Sequence, residues 1–260
     1  LKVNRIQLNH LKKFEITKDA ETVASIKDNT DYEGVFYAGD HGALEEVILH
    51  KVKSIGSFSF ISCTLLTKVV APDCERLGDD AFETCQKLVD VQAPNVKKLG
   101  KEVFSGCRLL KKVSFPALES MAEPNPKIPD EIQLVSHAFL DCRSLESVDL
   151  GKVKLIPVRT FNGCLSLEEV KAPEVEVIGN AAFSDDDPRS TRPRCVSLMT
   201  LTFPKVKRIG EFAFRKCLNL ERLIVGQTPP MVGKQAFDSC LKQDMILFSK
   251  EDGTILTSAS

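Results

Sequence analysis

The sequence predicts an α/β repeat solenoid, and three observations carry that expectation. Single cysteines recur at 63, 85, 107, 142, 164, 195, 217 and 240, at intervals of 22, 22, 35, 22, 31, 22 and 23. A phenylalanine stands three residues ahead of most of them, at Phe60, Phe82, Phe104, Phe139, Phe161, Phe214 and Phe237. A short apolar run, a proline and a glycine then follow at fixed offsets. A unit of this size cannot cover its own apolar side, so successive units must stack.

The unit reads L-x-x-V-x-(A/F/L)-P-x-V-x-x-(I/L)-G-x-x-A-F-x-x-C. Its first part alternates as a strand does, which turns Leu49, Ala71, Ala93, Phe115, Leu150, Ala172, Phe203 and Val225 inward. Proline ends that ladder. V-x-x-I-G is a short extended or turning segment. G-x-x-A-F-x-x-C suits one or two helical turns, with glycine permitting the bend. Each coil adds one strand to a parallel sheet, and the remaining ~16 residues suffice for a crossover. Nine coils at ~4.8 Å per strand make a rod on the order of 40 Å long.

The copies "LGDDAFETCQKLVDVQAP" and "IGEFAFRKCLNLERLIVG" resemble the BspA-like subclass of leucine-rich repeats, over about residues 44 to 240. Ser59 and Val103 stand where the pattern has alanine, and Gly226 where it has proline. The resemblance implies a right-handed coil with a parallel concave sheet, short strands, and helical turns on the other faces. It also implies a microbial cell-surface or secreted protein that binds another protein.

The period breaks at both ends and twice between. Residues 1–43 read as an N-terminal cap and degenerate first repeat, with "LKKFEI" (Leu11 to Ile16) fitting a strand. Residues 44–240 are the repeats. Residues 241–260 read as a C-terminal cap, with Met245 to Phe248 as a last strand closing the sheet edge. Insertions at 122–134 and 185–193 are expected to project from the flank or the convex side. The first carries three prolines in six residues and should be extended.

Composition narrows the function. Thirty-five basic and thirty-six acidic side chains leave a net charge of -1, with no electrostatic case for nucleic acid. No apolar run is long enough to span a bilayer, so no membrane insertion is expected. The chain begins with Leu1 and shows no leader pattern, which reads as trimming. The nine cysteines fit the interior as small hydrophobes with weak donors, not disulfides. Cys74, the off-period one, takes the slot of Val52, Val96 and Val206.

No catalytic, cofactor or metal constellation emerges. His10, His41, His50 and His137 are scattered, "GQTPPMVGK" lacks phosphate-loop spacing, and "DDD" at 185–187 lacks the order of a calcium loop. The candidate partner-binding face is the solvent side of the concave sheet: Glu46, Lys68, Asp90, Lys112, Asp149, Glu169, Lys171 and Arg222. Opposite charges there also neutralise one another across strands. Lys51, Lys53, Lys97, Lys98, Lys152, Lys154, Lys205, Lys207 and Arg208 form a second row after the proline, interrupted by Glu75, Glu119, Glu174 and Glu176. A solvated rim is expected there ahead of a polyanion edge. The sequence thus points to a monomeric, non-enzymatic scaffold for a protein ligand, at the cell surface or secreted. The alternative is an intracellular adaptor or regulatory protein in the cytoplasm, favoured by unpaired cysteines. The lack of any N-x-[ST] site leans away from a glycosylated eukaryotic surface.

Overall fold

The computed structural model describes residues 12–16, 20–23, 43–122, 127, 130–184, 195–241, 246–249 and 255–256. Strands are numbered in chain order, β1 to β19. One series lies on the face expected to be concave. It begins with β1 (Lys13–Ile16), β3 (Glu46–Leu49), β5 (Lys68–Val70) and β7 (Asp90–Gln92). It continues with β9 (Lys112–Ser114), β10 (Ser147–Asp149) and β12 (Glu169–Lys171). Then come β14 (Thr200–Phe203), β16 (Arg222–Val225) and β18 (Ile246–Ser249), and β19 (Ile255–Leu256) closes it antiparallel to β18. The other pairs are parallel and keep the repeat register, so Lys13, Glu46, Lys68 and Asp90 stand side by side.

A second series follows each proline. It runs through β2 (Ala20–Val23), β4 (Val52–Ile55), β6 (Arg76–Leu77) and β8 (Lys98–Leu99). After the first insertion it resumes with β11 (Leu155–Ile156), β13 (Val177–Ile178), β15 (Arg208–Ile209) and β17 (Met231–Val232). These strands, of four residues in β2 and β4 and two in the rest, are also parallel. Most coils thus contribute one strand to each of two parallel stacks, and the coil of β9 adds to the second only a bridge from Ser120 to Lys98.

The third face corrects an expectation. The G-x-x-A-F-x-x-C segments are not helical turns. A helix needs uniformly negative φ and N–H groups bonded four residues back. Here two positions per unit are left-handed: φ is 54° at Asp80 and 57° at Thr84, 51° at Glu102 and 73° at Gly106, 54° at Arg159 and 82° at Gly163. That alternation turns N–H groups toward the next coil. Phe60 donates to the Ala81 carbonyl at 2.8 Å, Phe82 to Val103 at 2.9 Å, and Phe104 to Ala138 at 2.9 Å. Phe161 donates to Ala182 at 2.8 Å and Phe214 to Ala236 at 2.8 Å. The turn face is a third inter-coil ladder. The helix among the described residues is a single 3-10 turn at Glu131–Gln133.

The closing glycine has another role than the one expected. At Gly78 a Cβ would come within 2.4 Å of the Ser57 nitrogen, and at Gly210 within 2.6 Å of the Asn180 nitrogen. These positions are glycine because adjacent coils pass backbone against backbone.

The interior is one core from Leu44 to Ala236, and every expected inward residue from Leu49 to Val225 is buried. A column of stacked phenylalanine rings runs through it. Phe60, Phe82, Phe104, Phe139, Phe161, Phe183, Phe214 and Phe237 follow one another with centroids 5.3, 5.6, 5.7, 5.5, 5.1, 4.9 and 5.3 Å apart. Phe183 has no cysteine three residues on, because the second insertion separates it from Cys195. It keeps its place in the column all the same.

Part of the first insertion also departs from expectation. Residues 130–134 lie against the coils instead of projecting. The Arg208 guanidinium holds both Asp130 oxygens at 3.0 and 2.9 Å. Val158 donates to the Leu134 carbonyl at 2.8 Å, and Asn180 to that of Ile132 at 3.0 Å. The three prolines at 124, 126 and 129 and the insertion at 185–193 lie outside the described residues.

Candidate recognition face

The strand register places all eight candidate residues on the solvent side of the first strand series. Glu46, Lys68 and Asp90 are neighbours on β3, β5 and β7. Lys112 and Glu169 flank Ser147 on β9, β12 and β10. Asp149 and Lys171 are direct partners on β10 and β12, and Arg222 stands on β16 beside Thr200 of β14. Lys171 Nζ lies 2.8 Å from Asp149 Oδ2, while the Gly151 N–H holds the other carboxylate oxygen at 3.0 Å. The hydrogen bond from Lys171 to Asp149, and then the charge of Asp149, raises the Lys171 pKa. Gln92 donates to Asp90 at 2.8 Å. Glu46, Lys68, Lys112, Glu169 and Arg222 have no ion-pair partner among the described residues. Self-neutralisation is therefore partial, and unpaired charges of both signs face solvent. Ile224, which holds the slot of Asp149 and Lys171 in its own unit, is instead buried on β16, where it stands beside Leu247 of β18.

This strand series is interrupted twice, between β7 and β9 and between β12 and β14. Elsewhere a rung precedes each strand pair: Val89 N–H to the Thr67 carbonyl at 3.0 Å, and Glu146 N–H to Lys111 at 2.7 Å. The corresponding rung from Lys111 to Val89 is absent among the described residues. Across the same coils the other two ladders remain closed, through Glu119 to Lys97 at 2.8 Å and Phe104 to Ala138 at 2.9 Å. The opening is thus confined to the candidate face. It leaves Val91 half-buried and forms a depression of about 330 Å³. Val91, Val113 and Val148 line it together with Ser114 and Ser147, and so do Lys112, Asp149, Glu169 and Lys171. Four of the eight candidate residues therefore meet around one apolar patch. Glu46, Lys68, Asp90 and Arg222 lie outside it.

The basic row after the proline is a chain of alternating charges. Glu75 lies between Lys53 at 3.3 Å and Lys97 at 2.7 Å. Glu176 pairs with both Lys154 and Lys207, and Glu174 with Lys205 at 2.6 Å. The lysine hydrogen bonds draw the Glu75 and Glu176 pKa values down. The pairs join equivalent positions of successive coils, which leaves no uniform basic edge.

The family profile described as the BspA type leucine rich repeat region matches in six copies, over residues 33–124, 53–188 and 193–259. The chain belongs to the BspA-type leucine-rich repeat family. Among solved structures it is similar to a leucine rich cell surface protein from Faecalibacterium prausnitzii, at 20% identity and a TM-score of 0.45. That likeness covers 90% of this chain and 70% of the other. The Treponema pallidum leucine rich repeat protein is 22% identical with a TM-score of 0.40, covering 75% of this chain and 69% of that one. A leucine-rich repeat protein from Bacteroides ovatus gives 22% and 0.37, with 93% and 88% covered. No curated protein matches the chain significantly.

The cysteines of this BspA-type chain work as interior donors. Cys85 Sγ lies 3.2 Å from the Phe60 carbonyl, Cys107 3.2 Å from Phe82, Cys142 3.1 Å from Phe104 and Cys164 3.1 Å from Phe139. Cys195 and Cys240 repeat the contact at 3.2 Å with Phe161 and Phe214. Each of these thiols reaches back one coil. The Phe60 carbonyl already accepts the Cys63 N–H at 3.2 Å, so the thiol occupies its second lone pair. Cys74 bonds instead to the Arg76 carbonyl at 3.1 Å. Burial pushes the Cys63 thiol up to about 12 and Cys74 and Cys240 to about 11.

An acidic group on the turn face joins Asp80 and Glu83, three residues apart, to Glu102, which holds the slot of Asp80 one 22-residue period later. Asp80, Glu83 and Glu102 bring carboxylate oxygens within 4.8 Å of one another and are the described residues able to share a cation. Burial first, then Glu102, Glu83 and Asp79, pushes Asp80 up to about 7. His137 Nδ1 stands 3.5 Å from Glu102. The "DDD" run at 185–187 lies outside the described residues.

Proposed function

We propose that this chain is a non-enzymatic, monomeric scaffold that binds a protein ligand on its first strand series, in an adhesion-type role at the cell surface or after secretion. The observation that carries the binding reading is the depression of about 330 Å³, where the sheet opens onto Val91, Val113 and Val148. Apolar surface inside a ring of Lys112, Glu169 and the Asp149–Lys171 pair has the make-up of an interface centre with a polar rim. Two closed backbone ladders across the same coils hold this patch rigid, which lowers the ordering cost of binding. The non-enzymatic reading is supported by thiols such as Cys63, Cys85, Cys107 and Cys142, since burial raises their pKa values and keeps them protonated and out of reach. The surface role is what family membership suggests. The nine free thiols favour a second reading, an intracellular adaptor. Burial of eight of them weakens that preference, because a thiol enclosed between coils survives an oxidising compartment unpaired.

The test is site-directed photocrosslinking. A benzophenone placed at Ser114 should capture a protein from cell-surface extracts, and one placed at Lys234 on the turn face should not. Reversal of Lys112 and Lys171 to glutamate should abolish the Ser114 product. Equal capture at both positions would refute the proposed face.

A further inference from the structure

The ridge that joins the turn face to the first strand series changes character along the stack. Residues 64–67, 86–89 and 108–111, which follow Cys63, Cys85 and Cys107, carry Lys87, Arg108 and Lys111 and no acidic residue. The next two coils bring glutamates to it, Glu146 and Glu168. Packing demands one apolar residue per stretch, the fully buried Leu66, Leu88 or Leu110. Leu109 is nevertheless 48% exposed, in a slot that Lys87, Ser144 and Ser166 fill in other coils. Val89 is 46% exposed, in the slot of Thr67, Lys111 and Glu146. Lys111 is held by Glu146 at 3.5 Å, and Asp90, which follows Val89, accepts from Gln92. Lys87 and Arg108 are exposed and have no ion-pair partner among the described residues. Two apolar side chains that the core does not need thus share adjacent coils, ~4.8 Å apart, with two unpaired cations.

We propose that this ridge docks an acidic, amphipathic peptide segment of a partner protein. The segment's apolar side chains cover Val89 and Leu109, and its carboxylates answer Lys87 and Arg108, whose guanidinium takes a carboxylate in two parallel hydrogen bonds. Exposed ion pairs alone contribute little, so the apolar cover is what sets such a segment apart from a plain polyanion. The rim of the depression at β7 and β9 carries both signs of charge, whereas the unpaired charges of the ridge are of one sign. None of the four ridge residues lines that depression, so either assignment can fail alone.

The probe is the synthetic peptide acetyl-Gly-Glu-Leu-Leu-Glu-Gly-amide, titrated into the protein labelled with 13C at its leucine and valine methyls. The Val89 and Leu109 signals should shift with saturation, while Val232 and Leu241, exposed at the other end of the stack, stay in place. Lys87→Gln with Arg108→Gln should weaken binding about three- to tenfold at low salt, and Leu109→Ser by a similar factor. These are surface changes that leave Leu88 and Leu110 in the core, and Glu169→Gln at the depression should have no effect. Still Val89 and Leu109 signals, equal movement of Val232, equal binding of the charge-reversed Lys-Leu-Leu-Lys peptide, or unaltered binding by the glutamine variant would each overturn the proposal. Equal binding of a leucine-free Glu-Gly-Gly-Glu peptide would also overturn it and assign the ridge to polyanions. So would a Leu109 shift with protein concentration alone, which would assign the ridge to a second copy of the chain.

Discussion

Each interior ring of the phenylalanine column touches one ring in the coil before and one in the coil after, so its loss is felt by two neighbours. Phe104→Ala should cost about 3–5 kcal/mol, read as the shift in a urea denaturation curve. Phe183→Ala should cost as much, because that ring stands 5.1 and 4.9 Å from its neighbours. Phe237, half-buried with one stacked neighbour, should cost less than half as much. The glycines separate by mechanism. Gly78→Ala drives a Cβ into backbone at 2.4 Å and should cost about 3 kcal/mol or more. Gly163→Ala, at φ +82° and facing a movable Asp141 carboxylate, should cost about 1–2 kcal/mol. The same denaturation series decides between them, and equal costs would refute the backbone-approach account of Gly78. Phe183 itself was obscured in the sequence because the pattern was aligned on cysteines and an insertion moved Cys195 away. Counting forward from Gly179 in "IGNAAF" would have found it.

At the scale of the element, the two strand series follow from alternation and proline placement, and the turn does not follow from anything local. Its left-handed positions hold Asp80, Glu102, His137, Arg159 and Phe212 as readily as glycine. Such residues cost about 1 kcal/mol or more each in that conformation, and three backbone bonds to the next coil outweigh the strain. The preference is set by the neighbouring coil, so one unit read alone looks helical. The turn face also sets a pH response. Asp80 has a folded pKa of about 7 against an ordinary 3.8, chiefly through burial and the nearby Glu102 and Glu83. A raised pKa means the folded state holds its proton more tightly. The stability this gives is complete below pH ~4 and is lost as pH climbs through about 7. Asp80→Asn should flatten the fall of melting temperature between those pH values and raise it at pH 8. A slope unchanged by the substitution would place the titrating group elsewhere.

The whole molecule is a stack in which each coil is stabilised by the coils beside it, and this much was legible from the 22-residue period alone. The rows on the candidate face were legible too, since position within the unit fixes which way a side chain points. The two openings of the sheet were not. They depend on how coils settle against one another across a distance, and Val91 is the same residue as its counterparts Val69, Val113 and Val148. Nearest-neighbour coupling predicts that unfolding begins at the ends, where a coil has one partner. The thiols report this coil by coil, because buried ones such as Cys107 and Cys164 are exposed only when they part from the Phe carbonyl of the coil before. In native buffer at pH 8, pulsed alkylation read by mass spectrometry should modify Cys240 first, being half-buried and last in the column, and Cys217 next. Cys107, Cys142 and Cys164, fully enclosed, should react together and at the rate of global unfolding. Under denaturing, non-reducing conditions all nine should react alike. Modification of Cys142 ahead of Cys240 would mean that the stack opens in its middle, and the coils would then be separate folding units.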